Sequence, residues 1–287
     1  MFFRKHDPVY QARAATAGDT GAVEQLIMRA QRIYLRTSPE EVLLDLRPGL
    51  GWVARQGNHL GGFMLAEIQP PGIALITAAA ISDDWRVSAY LDAFLPLVEE
   101  AMRPKGVTAL AQIGHAPWLT ALLREQGFVS RDWVVTYEWH YQPVTVHGHR
   151  QVIVRSAHLR DLPILVSLDK DIFGPLWHKP TKSFEEALAR AFNFTVAELD
   201  NQIVGYQWCE KHERHGHITR LGVRPGWEGR GVGTRLLTEA LMAMVKADTN
   251  WVTLNTQESN MRSRMLYERH GFRLLNDDHV AVLWKDM

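Results

Sequence analysis

Hydrophobic and polar positions follow two patterns along the chain. Short apolar runs predict strands, and apolar residues three and four positions apart predict helices. In the first half, the predicted strands are 12–15, 51–55, 62–67, 73–81, 107–113 and 133–139. The predicted helices run from about Thr20 to Tyr34, after Ser38, from about 86 to 102, and from 118 to 126. This mixture predicts an α/β fold.

The second half repeats this order of elements. Its predicted strands are 152–155, 194–199, 204–210, 218–223 and 252–255, and its predicted helices are 160–172, a stretch after Ser183, and 236–245. A shift of roughly 143 residues lays one half over the other, as expected for an internal repeat. We therefore expect domains at 1–140 and 151–287, joined by a linker at 141–150.

Composition narrows the classes of function. The formal net charge is zero, so there is no general basic field for nucleic acid or an anionic membrane. No apolar run of about 18 residues predicts a membrane span. Residues up to about Tyr10 are expected to be a poorly ordered leader and lack the pattern of a signal peptide. The single cysteine, Cys209, is expected to be a buried free thiol and favours a cytoplasmic protein.

The candidate chemistry begins at one glycine-rich stretch. A predicted strand ends in Leu221, Gly222 and Val223, and a helix opens after Gly229, Arg230, Gly231, Val232, Gly233 and Thr234. Glycines let a ligand approach the main chain, and a helix start offers unpaired N–H groups, so this pattern predicts a phosphate site. A P-loop would need Gly-Lys-Ser/Thr here, and a dinucleotide fingerprint would need a third glycine at Leu236.

A second motif narrows the ligand. Asn260, Tyr267 and the pair Gly271-Phe272 follow the predicted strand 252–255. With the glycine stretch, these residues resemble the GNAT superfamily of acyl-CoA-dependent N-acetyltransferases over the whole second half. The resemblance implies two tandem GNAT-like domains, each a mixed, mostly antiparallel twisted sheet flanked by helices. It also implies acetyl-CoA as cosubstrate, its pyrophosphate on the amides of residues 229–234, its pantetheine arm along residues 221–223, and Asn260 as a further contact.

The first half lacks the matching residues. The same shift places 86–91 where the glycine stretch stands, Leu123 at the tyrosine position and Ala116 near the asparagine position. We therefore expect the first half to be a degenerate GNAT-like domain without a competent CoA site.

Tyr267 is the expected general acid. It lies seven residues after Asn260 on the same helix face. A phenol has a pKa of about 10 and is protonated at neutral pH, so it can protonate the departing thiolate. A backbone N–H near residues 221–223 is expected to polarise the thioester carbonyl.

The sequence offers several candidates for the general base. Glu210, at a strand end that would flank the cleft, is the first candidate, and Glu213 and His217 follow. Asn255 stands where some family members carry a glutamate and cannot act as a base. The three histidines in 211–217 are interpreted as part of a solvated hairpin turn, because no further ligand completes a metal site.

Two other features bear on binding. Glu228 occupies a position where the family usually has glutamine or arginine, and we expect Arg230 or Arg235 to compensate its charge near the pyrophosphate. Residues 173–180 correspond to a segment that borders the acceptor site in GNAT proteins, and Phe173 and Trp177 suggest an apolar contact there.

The sequence thus predicts an acyltransferase that moves an acetyl group from acetyl-CoA directly to a primary amine of a small molecule or peptide. No metal, nucleic acid or membrane is expected to take part, and the sequence does not fix the oligomeric state. Two alternatives stay open: a non-catalytic acetyl-CoA-binding or sensing protein, and a two-domain interaction scaffold.

Overall fold

The computed structural model describes residues 10–287, apart from the side chains of residues 277 and 278. The expected leader lies outside the described residues. The strands are β1 (Gln11–Ala14), β2 (Arg32–Leu35), β3 (Gly51–Gln56), β4 (His59–Gln69), β5 (Ile73–Ile81), β6 (Ala109–Ile113), β7 (Val129–His140), β8 (Ile153–Ser156), β9 (Asn193–Leu199), β10 (Gln202–His212), β11 (His215–Val223), β12 (Trp251–Gln257) and β13 (Arg273–Asp286). The α-helices are α1 (Thr20–Arg29), α2 (Pro39–Asp45), α3 (Ser88–Met102), α4 (Pro117–Glu125), α5 (Leu162–Ile172), α6 (Thr181–Arg190), α7 (Val232–Lys246) and α8 (Met261–Arg269).

The chain forms two compact units whose ends differ from the sequence-based division. The first unit ends at Asp132 and takes in Val280–Met287, and the second is Trp133–His279. In the first, the strands follow the order β1-β3-β4-β5-β6, β2 pairs with β5, and the end of β13 pairs antiparallel with β6. In the second, the order is β7-β12-β11-β10-β9-β8. The last residues of the chain therefore complete the first sheet, and residues 134–140 of β7 complete the second.

The sheet of the second unit is buried on both faces. Alternating residues of its strands point to opposite sides. Leu237, Leu241 and Met244 of α7 pack on one face with Cys209, which is a buried free thiol as predicted. Leu165 and Leu168 of α5 and Phe184 of α6 cover the other face. No helix in the described part of the chain is long and apolar enough to cross a membrane.

An ion pair between a partly exposed arginine and a buried aspartate recurs at the start of both units. Arg13 on β1 binds Asp19 through two hydrogen bonds of 2.8 Å, and Arg155 on β8 binds Asp161 through bonds of 2.7 and 3.0 Å. In each case the carboxylate also accepts a backbone N–H three residues before it. The two arginines are separated by 142 positions (155 − 13), close to the shift seen in the sequence. This shared geometry supports the internal repeat.

Two sequence expectations for the first unit need correction. The helix predicted as far as Tyr34 ends at Arg29, and residues 32–35 form β2 instead. Pairing with β5 and a bond from the Tyr34 hydroxyl to the Ile113 carbonyl at 2.6 Å hold this short strand, so tertiary contacts outweigh the helical pattern. The strand β13 was not predicted at all.

The predicted linker has no helix or strand, but it is packed. The Thr238 hydroxyl on α7 donates to the Val146 carbonyl, and the His149 N–H donates to the Gly231 carbonyl at 3.1 Å. Residues 141–150 therefore belong to the second unit and run along the start of α7.

Candidate active site

The glycine loop of the second unit leads from β11 into α7. Gly226, Gly229 and Gly231 have φ angles of 84°, 73° and 80°, which side chains rarely adopt. Gly231 is the N-cap of α7, and the first bond within the helix joins the Arg235 N–H to the Gly231 carbonyl at 3.0 Å. The N–H groups of residues 232–234 therefore have no acceptor within the helix. They form the kind of donor set that binds phosphate.

The loop has little room for side chains. A Cβ on Gly231 would lie 3.1 Å from the backbone nitrogen of His149, and a Cβ on Gly233 would lie 3.3 Å from the side chain of Leu266. The glycines thus allow both the backbone turn and the close packing of α7 against its neighbours.

Strands β11 and β12 separate beside this loop. Their parallel pairing begins at His215 with Trp251 and ends, in the described residues, at Ile218 with Leu254. The register of β11 on β10 shifts at the same point and leaves Thr219 as a bulge. Residues 221–223 remain paired with β10, so an extended ligand could add to their other edge through backbone hydrogen bonds.

Helix α8 follows β12 and carries the predicted general acid. Asn260 is its N-cap, and the side-chain oxygen accepts the Ser263 N–H at 3.2 Å. Tyr267 is 6% exposed, and its ring lies 6.0 Å from the rings of Tyr137 and Phe272. Burial raises the pKa of Tyr267 to about 12, opposed by a hydrogen bond with Ser263. The phenol is therefore protonated at neutral pH, as a general acid must be.

Glu228 has a structural partner that the sequence did not indicate. Its carboxylate accepts the Gly226 N–H at 2.6 Å and lies 3.2 Å from the Arg262 guanidinium at the start of α8. The arginines expected to compensate Glu228 have other partners. Arg235 pairs with Glu239 within α7, and Arg230 stacks on the Trp227 ring. Glu228 therefore stabilises the turn of the glycine loop, with Arg262 balancing its charge.

A groove lies between α6 and the β10–β11 hairpin. Glu210, His217 and Thr219 line it from the strands, and Ser183 and Arg190 line it from α6. Glu210 is exposed on β10 and is the cross-strand neighbour of His217. Because the groove reaches the Thr219 bulge, it opens at the point where β11 and β12 part.

The histidines of this hairpin are placed differently from the sequence interpretation. The hairpin itself is confirmed, but its turn consists of Glu213 and Arg214. His215 and His217 lie on β11, and both rings contact the Thr253 hydroxyl of β12, at 3.0 and 2.9 Å. Among the described side chains, no group of three or more histidine, cysteine, aspartate or glutamate residues is arranged to hold a metal ion.

A buried charge pair next to the bulge was missed from the sequence. The Arg220 guanidinium donates to one Asp169 carboxylate oxygen at 2.8 and 2.5 Å, and the Tyr206 hydroxyl donates to the same oxygen at 2.5 Å. Asp169 is fully buried and Arg220 is 9% exposed. Removing one partner of such a pair leaves the other charge uncompensated, which is strongly destabilising. The only sequence signal was the position of Arg220 within an apolar strand.

The same pair fixes the segment that was expected to border the acceptor. Arg220 lies 3.4 Å over the centre of the Phe173 ring and donates to the Trp177 carbonyl at 2.7 Å. The second oxygen of Asp169 accepts the Lys179 N–H at 2.9 Å. Phe173 and Trp177 therefore serve to hold the connection between α5 and α6 onto β11.

In the first unit, the turn before α3 stands where the glycine loop stands in the second unit, and aromatic side chains fill it. A Cβ on Gly61 would lie only 1.9 Å from the Trp85 ring, so this ring lies directly on the sheet. Tyr10 stacks on Trp85 with ring centres 4.0 Å apart, and its hydroxyl accepts the Arg86 N–H at 2.8 Å just before α3. Aromatic side chains and a tyrosine hydroxyl thus occupy the turn that precedes the helix in this unit.

Comparison with known proteins fits this geometry. Residues 162–272 match the acetyltransferase (GNAT) family. An uncharacterized N-acetyltransferase of Methanocaldococcus jannaschii is 31% identical over 124 residues, which cover 42% of this chain and 78% of that protein. The chain belongs to the GNAT family of acetyltransferases. A mycothiol acetyltransferase of Streptomyces avermitilis is 33% identical over 81 residues, but these cover only 28% of this GNAT chain and 26% of the relative.

Solved structures of related fold match nearly the whole chain. A tandem GNAT protein from the clavulanic acid biosynthesis pathway has a TM-score of 0.61 at 15% identity, covering 96% of this chain and 98% of that one. A probable N-acyltransferase from Enterococcus faecalis has a TM-score of 0.73 at 9% identity, covering 96% and 72%. These likenesses confirm the predicted tandem GNAT fold.

Proposed function

We propose that the second unit moves an acetyl group from acetyl-CoA directly to a primary amine of a small molecule or peptide. The observation that carries this proposal is the gap between β11 and β12. It opens at the Thr219 bulge, beside the glycine loop and at the end of the groove. A thioester in the gap would meet an amine in the groove without crossing the sheet.

The chain offers a fitting set of groups for acetyl-CoA. The pyrophosphate would be held by amides of the glycine loop and first turn, which are Gly229, Arg230, Gly231, Val232, Gly233 and Thr234. The pantetheine arm would pair with the free edge of Leu221, Gly222 and Val223. Asn260 would add a side-chain contact, for which its amide nitrogen is suited because its oxygen caps α8.

The reaction needs one proton donor and one proton acceptor. The amine nitrogen forms a bond to the acetyl carbon, the carbon–sulfur bond breaks, and the sulfur takes a proton. Tyr267 is proposed as the donor of that proton, which its raised pKa keeps in place at neutral pH. Glu210 lies on the acceptor side, where a carboxylate attracts an ammonium group and stabilises positive charge as the amine loses its proton.

The first unit is proposed to be a degenerate domain without a CoA site. The Trp85 ring against Gly61 and the Tyr10 hydroxyl on the Arg86 amide support this, since they take the place of an open glycine loop. We further propose that the protein works in the cytoplasm, where a buried free thiol such as Cys209 stays reduced.

The test is thiol release from acetyl-CoA in the presence of a panel of primary amines. Acetyl-CoA should raise the melting temperature, and at least one amine should give release that depends on its concentration. Binding without release across a broad panel would instead support a non-catalytic sensor. Absence of both effects would support an interaction scaffold.

A further inference from the structure

His217 stands closer along the strand to the gap between β11 and β12 than the other base candidates. It lies two residues before the Thr219 bulge, and Ile218, between them, makes the last parallel pair with β12. Glu210 is on the neighbouring strand, and Glu213 is in the hairpin turn at a φ of 51°. His217 is half-buried and lines the groove. Its ring thus lines the groove in which the proposed function puts the amine, two residues before the strands part.

Hydrogen bonds orient this ring. The Thr253 hydroxyl lies 2.9 Å from Nδ1 of His217 and 3.0 Å from Nε2 of His215. A hydroxyl has one hydrogen, so Thr253 can donate to only one of these two nitrogens. When Thr253 donates to His215, it accepts the Nδ1–H of His217. The Nε2 of His217 then carries a lone pair that can take a proton.

The charges around His217 fit a proton acceptor. Burial lowers the pKa of His217, opposed by the Glu210 carboxylate. The ring is therefore neutral at pH 7, and once it is protonated the neighbouring carboxylate stabilises it. The other ionisable groups lining the groove are Lys211 and His212 on β10, His215 on β11, Glu186 and Arg190 on α6, and Lys179.

We propose that His217 is the general base of the reaction and that Thr253 and His215 position its ring, with Glu210 stabilising the imidazolium. This inference rests on the proposed function. As the amine nitrogen bonds to the acetyl carbon, its proton moves to Nε2 of His217. The carbon–sulfur bond breaks, and the sulfur takes the Tyr267 proton. His217 then returns its proton to water, and Tyr267 takes one up.

The test compares glutamine variants in the groove, using the amine identified for the full-length protein. His217→Gln keeps a side chain that can bond to Thr253 but cannot accept the proton. Its kcat should fall by at least about 100-fold, the usual contribution of a positioned base, with the KM for acetyl-CoA unchanged. The acid limb of the pH–rate profile that belongs to this base should also disappear. His59→Gln, at an exposed position on β4 of the first unit and away from the groove, should keep the wild-type rate.

A smaller variant separates chemistry from folding. His217→Ala should be as slow as His217→Gln, and added imidazole should restore its rate, because imidazole can fill the space and take the proton. Glu210→Gln should keep more activity than either variant, and its acid limb should lie at lower pH, since the carboxylate no longer favours the imidazolium.

Two results would overturn the assignment while leaving the proposed function intact. One is a wild-type rate in His217→Gln together with a large loss in Glu210→Gln, which would make Glu210 the base. The other is slow turnover in both His217 variants with no effect of imidazole on the alanine variant. If the wild-type protein acetylates no amine at all, the proposed function fails and the base role with it.

Discussion

At the scale of single residues, the surroundings of Tyr267 determine what its hydroxyl can do. The ring is enclosed by aromatic and aliphatic neighbours, so ionising it within the folded protein is costly. A phenol held in its neutral form can donate a proton but is a poor base. Burial therefore keeps the proton on the Tyr267 hydroxyl at neutral pH, which the proposed acid role requires.

Removing this hydroxyl tests the acid role. Tyr267→Phe should lower kcat by about 100-fold, in line with the loss of a positioned acid, and should leave the Kd for acetyl-CoA unchanged. Tyr137→Phe is the matched control, because its ring belongs to the same cluster while its hydroxyl bonds to Glu268. Steady-state assays of both variants measure kcat. Undiminished turnover in Tyr267→Phe would mean that the Tyr267 hydroxyl takes no part in the reaction.

The pair formed by Glu228 and Arg262 makes a second residue-scale prediction. Glu228 is 31% and Arg262 is 71% exposed, so their interaction is screened and modest. Arg262→Met should raise the Kd for acetyl-CoA by about two- to fivefold, the size expected of an exposed ion pair, and more so at low salt. Adding Glu228→Gln should restore the affinity, because the uncompensated carboxylate is then gone. Calorimetric titration of the four proteins measures the coupling, and additive effects would contradict it.

Histidine burial predicts how stability depends on pH. Burial lowers the pKa of His270, which is 7% exposed and donates to the Leu266 carbonyl at 2.8 Å, and likewise that of His217. The unfolded chain then binds more protons than the folded chain, so the free energy of unfolding should fall from about pH 7 to about pH 5. His270→Gln should flatten this decline, whereas exposed His212→Gln should not. Urea melts across this range provide the measurement, and an unchanged slope in His270→Gln would contradict the prediction.

At the scale of elements, the site depends on how β11 ends. The bulge, the separation from β12 and the glycine loop follow one another within a few residues, so one stretch of chain positions a backbone edge and a helix N-terminus together. The glycine loop and α7 could be predicted from sequence, because glycine spacing and an apolar helix face are local signals. The bulge could not, since it is defined only by pairing with β10.

A charge in the glycine loop should abolish binding. Gly231→Glu introduces a side chain 3.1 Å from a backbone nitrogen, at a φ of 80°, and a carboxylate where the pyrophosphate is proposed to sit. Millimolar acetyl-CoA should then no longer raise the melting temperature.

Gly57→Glu is the matched control for this change. It has a φ of 59° but open space around it, in the β3–β4 turn of the first unit. Acetyl-CoA should still raise the melting temperature of this variant, even if backbone strain lowers that temperature in the absence of the ligand. A retained shift in Gly231→Glu would mean that the phosphate lies elsewhere.

Two other features could not be predicted from the sequence because they depend on contacts between distant residues. The strand β2 lies in a helical pattern, and only its pairing with β5 identifies it. The Asp169–Arg220 pair joins residues 51 positions apart, so no local pattern reveals it. Residues whose roles are local, such as Gly231 at the start of α7, were placed well, and those whose roles come from distant contacts were not.

At the scale of the whole molecule, the last strand segment of the chain belongs to the first compact unit, and most of β7 belongs to the second. Residues 134–140 supply an edge strand to the second unit, and residues 282–286 supply one to the first. The division expected at 140 and 151 would remove a strand from the second unit. Sequence periodicity found the repeat but could not show which sheet each terminal strand joins.

Fragments test this organisation. A fragment of residues 133–279 should melt cooperatively, because it keeps the antiparallel partner of β12. A fragment of residues 151–279 should be less stable and prone to association, since the unpaired strand becomes an exposed sheet edge. Circular dichroism melts and size-exclusion chromatography compare the two. Equal stability of both fragments would show that residues 133–150 are not needed by the second unit.

The most direct test of the central proposal is to follow the acetyl group itself. Full-length protein is incubated with isotope-labelled acetyl-CoA and a panel of primary amines, and the amines are analysed by mass spectrometry. The proposal predicts labelled acetyl on the nitrogen of at least one amine, formed by the wild type and lost in Gly231→Glu. Tight binding of acetyl-CoA with no labelled amine, or equal labelling by Gly231→Glu, would contradict it.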